Sequence, residues 1–455
     1  MDTKYEFSNQ DLKKLIVPLM IEQALAITVG MMDTVMVSFL GDAAVSGVSL
    51  VDMINVLIIN IFAALATGGA VVASQFIGAR QREKACKSAN QLLIVTFVIS
   101  AVIMAFALVF RSQLLLLLFG SIEADVMENA KRYFLITGLS YPFIAMYNSC
   151  AALFRAMGNS RISMFASTVV NLINIAGNAI CIYLLRMGVE GVAIPTLVSR
   201  MVGAIMLLVP LSSPYREIYI RRKGFLPDLG IIRKILFIGV PSGLENSLFQ
   251  LGRVLVVSII AAFGTVQIAA NAVANNLDSL GCIPGQAMSL AMITVIGRCV
   301  GAYDYEQAKF YIKKLMKITY AVTIAMNSLI LISMPLLLRA YNLSDETLRL
   351  ASILVLIHNG CAMLLWPASF TLPNALRAAN DVKFTMTVSI ASMFVFRVLF
   401  SFILGKGMGW GAIGVWIAMI MDWICRVGFF IARLRSGRWE TMYVPDTSDN
   451  AELSV

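Results

Sequence analysis

The chain has 455 residues, 59% hydrophobic and only 14% charged, with a mean hydropathy of +0.81 and a formal net charge of +10. That balance excludes an ordinary soluble domain and indicates an integral membrane protein. The basic excess is sorted by side of the membrane, so it speaks for topology and anionic lipid on the cytoplasmic side, with no nucleic-acid partner expected.

The N-terminal stretch 1–14 is polar and lacks a signal-peptide cleavage pattern, so the span after it is expected to be retained. With about 20 mainly apolar residues per crossing, the sequence predicts twelve spans. They are 15–40, 50–75, 91–118, 132–154, 162–185, 191–211, 235–262, 271–297, 315–338, 350–376, 382–404 and 410–432. The expected fold is an all-α polytopic membrane protein with twelve transmembrane helices in two pseudo-symmetric six-helix lobes. Its parts are a cytoplasmic N-terminus at 1–14, a lobe at 15–211, a basic cytoplasmic linker at 212–234, a lobe at 235–434 and a cytoplasmic tail at 435–455.

Of the 36 Lys and Arg, 25 fall on the side that holds both termini and the linker, and seven on the other. Both termini are therefore expected in the cytoplasm. Arg200, Arg253, Arg397 and Arg426 remain inside spans. The seven cysteines show no CxxC spacing and read as small apolar residues. His358, the one histidine, has no Cys or His at a ligand spacing and reads as a polar group at the outer part of a span.

The two lobes repeat without a gap at an offset of 223. Pro18 and Glu22 fall on Pro241 and Glu245, Gly41 on Gly264, and Gly78-Ala79 on Gly301-Ala302. An even number of spans per lobe makes both lobes enter the membrane in the same sense, about an axis along the membrane normal, an architecture that commonly encloses an alternately opening site. No GxxxxGK[ST] stretch is present to bind ATP phosphates, so the energy is expected from an ion gradient or a separate partner.

Asp33 is the residue that breaks this repeat: its equivalent is Val256, so the fold does not require a carboxylate there. A carboxylate in an apolar span is a functional candidate, here for exchange of H+ or Na+ against a substrate. Asn171, Asn174 and Asn178 form one stripe of the fifth span; they suit either Na+ ligation near Asp33 or interhelical hydrogen bonds. Thr196 offers a hydroxyl to the same cluster. Glu22 and Glu245 follow a Pro by four residues at equivalent positions, and an architectural role best explains at least one of them.

Asp52 with Asn55, and Asn275 with Asp278, exchange acid and amide at matching positions near the outer ends; a cavity mouth or an inter-lobe contact is expected there. Asp422 and Arg426 are spaced for an intrahelical ion pair. Arg200, Arg253 and Arg397 lack such local partners and either pair across helices or favour anions in the cavity. Met32 and Met36, two of 26 methionines, suit a cavity wall that repacks around varied ligands, and equally suit core filling.

The Pro-x-x-x-Glu start, "MMDTVMVSFLGDAAVSGVSL", the "GARQREKA" loop, "LFRAMGNSR", the Asn-bearing fifth span and "GVEGVAIPT" together resemble a bacterial MATE (multidrug and toxic compound extrusion) transporter over residues 10–435. The resemblance implies secondary-active efflux of organic, often cationic compounds by antiport with H+ or Na+, without a cofactor and without enzymatic chemistry. It implies that Asp33 is the coupling carboxylate of the N-terminal lobe, with Asn174 and Thr196 beside it, and Glu245 a cation-binding glutamate of the C-terminal lobe. Asn178 stands where many bacterial members carry a second aspartate, and the tenth span has no carboxylate to complete a C-lobe site.

The expectation is thus a monomeric multi-pass exporter of the bacterial inner membrane acting on small organic molecules. H+ or Na+ is the coupling ion at Asp33, Asn174, Asn178, Thr196 and Glu245, and any Na+ is held at Asp33, Asn174 and Asn178. Met32, Met36, Arg200, Arg253, Asn275 and Asp278 are candidates for the substrate cavity. The alternative is a flippase for a lipid-linked sugar or peptidoglycan precursor, which would use the arginines to hold a pyrophosphate.

Overall fold

The computed structural model describes residues 6–120, 123–221, 226–339, 341 and 343–444, with the side chains of residues 31 and 34 excepted. Lys4, Arg222 and Lys223 of the basic count, and the tail beyond 444, lie outside them. Among the described residues the regular structure is helical, in this order: α1 (Asn9–Ser38), α2 (Asp42–Gly78), α3 (Arg82–Val109), α4 (Arg111–Phe119), α5 (Ala124–Leu139), α6 (Tyr141–Ala156), α7 (Ser160–Ala179), α8 (Glu190–Leu211), α9 (Leu229–Ala261), α10 (Thr265–Gly301), α11 (Tyr305–Arg339), α12 (Asp345–Trp366), α13 (Leu372–Ala378), α14 (Val382–Ser392) and α15 (Gly411–Arg435).

Eleven helices among the described residues are long and apolar enough to cross a membrane, against twelve expected. The fourth expected span is the difference. It is built from α5 and α6, each 16 residues, which meet end to end at Ser140. Pro142 at the start of α6 has no N–H to continue the helical ladder, and the Ser140 hydroxyl turns back to donate to Thr137 O at 2.5 Å. Large apolar side chains cover the outside, with Leu117 82%, Ile332 79% and Leu184 76% exposed. Such a surface is stable only against lipid.

The repeat is written in the backbone. Both α2 and α10 have 37 residues, and each starts from a glycine at positive φ, Gly41 at 93° and Gly264 at 101°. A Cβ at either would meet nothing within 4 Å, so conformation rather than space selects glycine there. Arg80 and Tyr303, again 223 apart, share the left-handed region at φ 59° and 57°. By α7 and α14 the offset has slipped by one, with Ser160 against Val382; it is regained at Arg186 against Gly409, both at positive φ. The extra residue of the second half is absorbed in π-helical turns at Met393–Leu399 and Ser401–Gly407, where the first half has one such turn, Ile180–Leu184.

The chain forms two compact units, residues 1–250 and 251–455, so the first part of α9 groups with the first unit. Its tie to α2 is close: a Cβ on Gly68 would lie 2.4 Å from Ile235 O. In the first unit α2 packs against α3, α5 and α6, while α7 lies against α1 and α8. Its apolar core includes Val48, Val51, Phe62, Phe134 and Ile182. In the second unit α10 packs on α11, α12 and α13, and α15 on α12, around Leu277, Leu354, Trp416 and Trp423.

The linker is docked along the start of α3. Arg82 donates to the carbonyls of Pro214, Arg216 and Glu217, Asn90 exchanges two hydrogen bonds with the Arg221 backbone, and Gln91 brackets Leu226 O and Asp228 N. Lys87 Nζ, 2.5 Å from Asp228, holds that carboxyl below its ordinary range.

Candidate functional site

Asp33 is half-buried on α1, facing the amide stripe of α7. Asn178 Nδ2 donates to Asp33 Oδ1 at 2.9 Å and to Asn174 Oδ1 at 3.3 Å, and Asn174 Nδ2 donates to Thr196 Oγ1 at 3.0 Å. The structure thus brings together Asp33, Asn174, Asn178 and Thr196 from three helices. Gly177 makes this possible: a Cβ there would sit 2.7 Å from Pro195 Cβ, so only glycine lets α7 come close enough to α8 for the amide to reach the hydroxyl.

The Asn174 amide has two orientations that differ in what they ask of Asp33. With its oxygen towards the carboxyl, two oxygens meet at 3.0 Å, which requires Asp33 to carry a proton and donate it; Thr196 then donates to Val192 O at 2.9 Å. Turned over, its nitrogen donates to Asp33 Oδ1 at 3.0 Å and Oδ2 at 3.3 Å, and its oxygen accepts from Thr196 at 3.0 Å. The second arrangement suits an ionised carboxylate, the first a protonated one.

Asp33, Asn174 and Thr196 line a cavity of about 440 Å³ within the first unit, walled also by Glu22, Asp52, Tyr133, Tyr147, Asn171 and Arg200, with Asn178 buried behind them. The wall is polar on several sides. Asp52 Oδ1 accepts from Asn55 Nδ2 at 3.2 Å and Tyr133 OH at 3.1 Å, and Tyr141 OH donates to Asn55 Oδ1 at 2.8 Å. Glu22 is ion-paired with Arg155 at 3.3 Å and accepts from Ser163 Oγ at 2.9 Å, tying α1 to α6 and α7. Arg200 Nη1 donates to Ser140 Oγ at 2.6 Å, at the junction of α5 and α6. Asn171 turns to Ser167 Oγ at 3.4 Å and stays out of the Asp33 network.

Other sequence candidates lie elsewhere. Met36 packs beside the apolar core and Met32 is 42% exposed; neither lines this cavity. Glu245 is buried on α9, outside the cavity wall. Asn275 donates to Asn271 O of its own helix. Asp278 meets His358 Nδ1 at 3.2 Å, inside an aromatic box in which Trp423 and Trp416 stand 5.0 and 5.7 Å from the imidazole. Arg253 is exposed on α9, Arg397 reaches Asp422 at 3.9 Å, and Arg426 pairs with Asp422 at 2.9 Å. Tyr133, Ser140 and Arg155 are residues of the site that sequence reasoning misses. Arg155 lies in the "FRAMGNSR" segment that matches "LRAANDVK" of the second half, which is the signal that could have marked it.

Two repeated helical units in an apolar shell, one enclosing a drug-sized polar cavity, define a polytopic membrane carrier. Comparison with known proteins gives the family. The MatE family model matches the chain twice, over residues 18–180 and 241–403, and the two matches stand at the same offset of 223 that the sequence and backbone show. The chain belongs to the MatE family of membrane transporters. It is 30% identical over 430 residues, 93% of each chain, to the uncharacterized transporter YisQ of Bacillus subtilis strain 168. It is 27% identical over 441 residues, 95% of this chain and 93% of the relative, to the probable multidrug resistance protein NorM of Thermotoga maritima. In fold it matches a MOP superfamily transporter from Pyrococcus furiosus, with a TM-score of 0.88 at 22% identity over 95% of this chain and 96% of that one. An outward-facing multidrug resistance MATE family transporter matches with the same score and identity over 94% and 96%.

Proposed function

We propose that this protein exports small organic compounds across the bacterial inner membrane by antiport, with Asp33 as the site of the coupling ion and the first-unit cavity as part of the substrate path. The observation that carries the reading is Asp33 itself: one carboxylate on the cavity wall, hydrogen-bonded to Asn178 and within reach of Asn174, in a frame whose repeat puts Val256 in its place. The names of the relatives, a probable multidrug resistance protein and the multidrug export protein MepA of Staphylococcus haemolyticus, support a range of drug-like substrates.

In the proposed cycle substrate occupies the cavity while Asp33 is ionised and both amides face it with nitrogen. A proton entering from outside neutralises Asp33, the Asn174 amide turns its oxygen to that proton, and the site loses its charge attraction for a cation. Each inward elementary charge supplies about 2.3 kcal/mol per 100 mV. Sodium is the second reading, favoured by Asn178 Oδ1, a buried oxygen with no hydrogen-bond partner among the described residues. It asks for a larger rearrangement, because Asn178 must then reverse its donation to Asp33. Both termini and the linker lie in the cytoplasm on this reading, supported by the 25 to seven bias of basic residues, and the unit of function is the monomer.

Transport by purified protein in vesicles under separately imposed pH and sodium gradients tests this. Uptake driven by the pH gradient alone, and lost in Asp33→Asn, is the expected result. Undiminished transport by Asp33→Asn removes Asp33 as the coupling site, and uptake driven only by sodium replaces the proton reading with the second one.

A further inference from the structure

The cavity wall carries one cation that the coupling cycle does not use. Arg200 enters from α8, four residues after Thr196, and makes one hydrogen bond, to Ser140 Oγ at 2.6 Å. A guanidinium has five N–H donors, so most of them are without a partner among the described residues. No carboxylate of the described residues stands within ion-pair distance of it. Asp33 and Asp52 nevertheless line the same cavity and act on it through space.

A count of the charged groups facing this space gives a definite result. Glu22 is neutralised by Arg155. Tyr133 donates its proton to Asp52 and is neutral, as is Tyr147. Asp33, Asp52 and Arg200 remain, so with Asp52 ionised, as its acceptance from Asn55 and Tyr133 allows, the cavity carries one net negative charge when Asp33 is ionised and none when it is protonated. In a water-poor site an uncompensated charge is costly, and occupancy follows neutrality. We propose that Arg200 is a fixed counter-cation that sets the valence of the substrate: the cavity accepts organic molecules with one net positive charge and rejects dications, because the fixed guanidinium already offsets one of the two carboxylates. Without Arg200 the same walls would hold two net negative charges and suit a dication. The inference rests on the reading of this cavity as the substrate path.

The chemistry makes a quantitative demand. Removing a fixed positive charge acts on a bound dication twice as strongly, in free energy, as on a monocation at the same place. Binding of tetraphenylphosphonium and of a bis-phosphonium of similar bulk is to be measured on the full-length protein in nanodiscs at pH 8, for wild type, Arg200→Met and Arg200→Lys. The wild type is expected to bind the monocation at least about tenfold more tightly than the dication. Arg200→Met is expected to tighten the monocation about tenfold and the dication about a hundredfold, removing the preference. Arg200→Lys, which keeps the charge and loses the planar fork, is expected to keep the preference. Equal shifts for both ligands, or weakening of both in Arg200→Met and Arg200→Lys alike, overturn the proposal and make Arg200 a tie between α8 and the α5–α6 junction. Loss of transport coupling in the wild type with the monocation still bound would count against the antiport reading alone; binding of neither cation by any variant removes both.

Discussion

The two units share a backbone and differ in what they bury. At the first unit's Asp33 the second has Val256, packed in its apolar core; at Thr196 it has Met419, and at Arg200 it has Trp423. Opposite Asn174 and Asn178, within the one-residue slip of the π-helical turns, stand Phe396 or Arg397 and Phe400 or Ser401, none of them an amide or a carboxylate. The second unit is not apolar for that. Its Asp422 is locked, taking Arg426 at 2.9 Å and Arg397 at 3.9 Å and also accepting from Ser392, while Asp278 faces the imidazole of His358. The first unit keeps Asp33 and Asp52 on a cavity wall, held by neutral amides and hydroxyls, beside the ion-paired Glu22. Carboxylates bound by neutral donors can change charge without leaving a partner stranded, whereas a buried ion pair cannot. One frame carries a cavity walled by carboxylates in one unit and an apolar core with a buried ion pair in the other.

The largest effect should come from erasing that asymmetry. Asp33→Asn is expected to reduce efflux and drug tolerance in a sensitive host to the level of the empty host, and adding Val256→Asp is not expected to restore them, because the second unit offers no amides around that position. Next comes Asp422→Asn, which strands Arg426 in a dry core; a loss of about 3–5 kcal/mol is expected, read as a lowered melting temperature in detergent. The double change Asp422→Leu with Arg426→Met should stay near wild type. Gly177→Ala pushes α7 from Pro195, where the added Cβ would meet carbon at 2.7 Å. A cost of about 1–3 kcal/mol is expected, with loss of the Asn174–Thr196 bond visible as a weaker response of substrate binding to pH. Thr196→Val removes one hydroxyl, with an expected cost of about 1 kcal/mol and a severalfold fall in efflux.

The smallest effect belongs to the linker. Lys87→Ala removes the ion pair of Asp228, whose depressed folded-state carboxyl stabilises the docked linker at pH above the ordinary carboxylate range, a contribution lost as pH falls below that range and through the lower folded-state value. At neutral pH about 0–1 kcal/mol is expected, since the pair is partly exposed; proteolysis of the linker across pH checks it.

The sequence carries the frame well because a repeat reinforces itself: Gly41 and Gly264, or Arg80 and Tyr303, are each weak signals that become strong at one shared offset. The break at Ser140 escapes a hydropathy reading, since averaging over an apolar stretch hides a single residue whose hydroxyl turns inward. Asp33 was legible because the second half lacks it. Its link to Asn174, Asn178 and Thr196 was legible only in part, since helical spacing shows which amides share a face and not which neighbour that face meets. The partners of Arg200, Glu22 and Asp278 were not legible. Ser140, Arg155 and His358 are distant in sequence, and only packing brings them in.

The docked linker carries a consequence of another kind. Arg82, Asn90 and Gln91 hold it chiefly through main-chain atoms of Pro214, Arg216, Glu217, Arg221, Leu226 and Asp228. A strap gripped by its backbone can drift in sequence while its route stays fixed, so variation among relatives should be tolerated along the strap and resisted at the three residues that grip it.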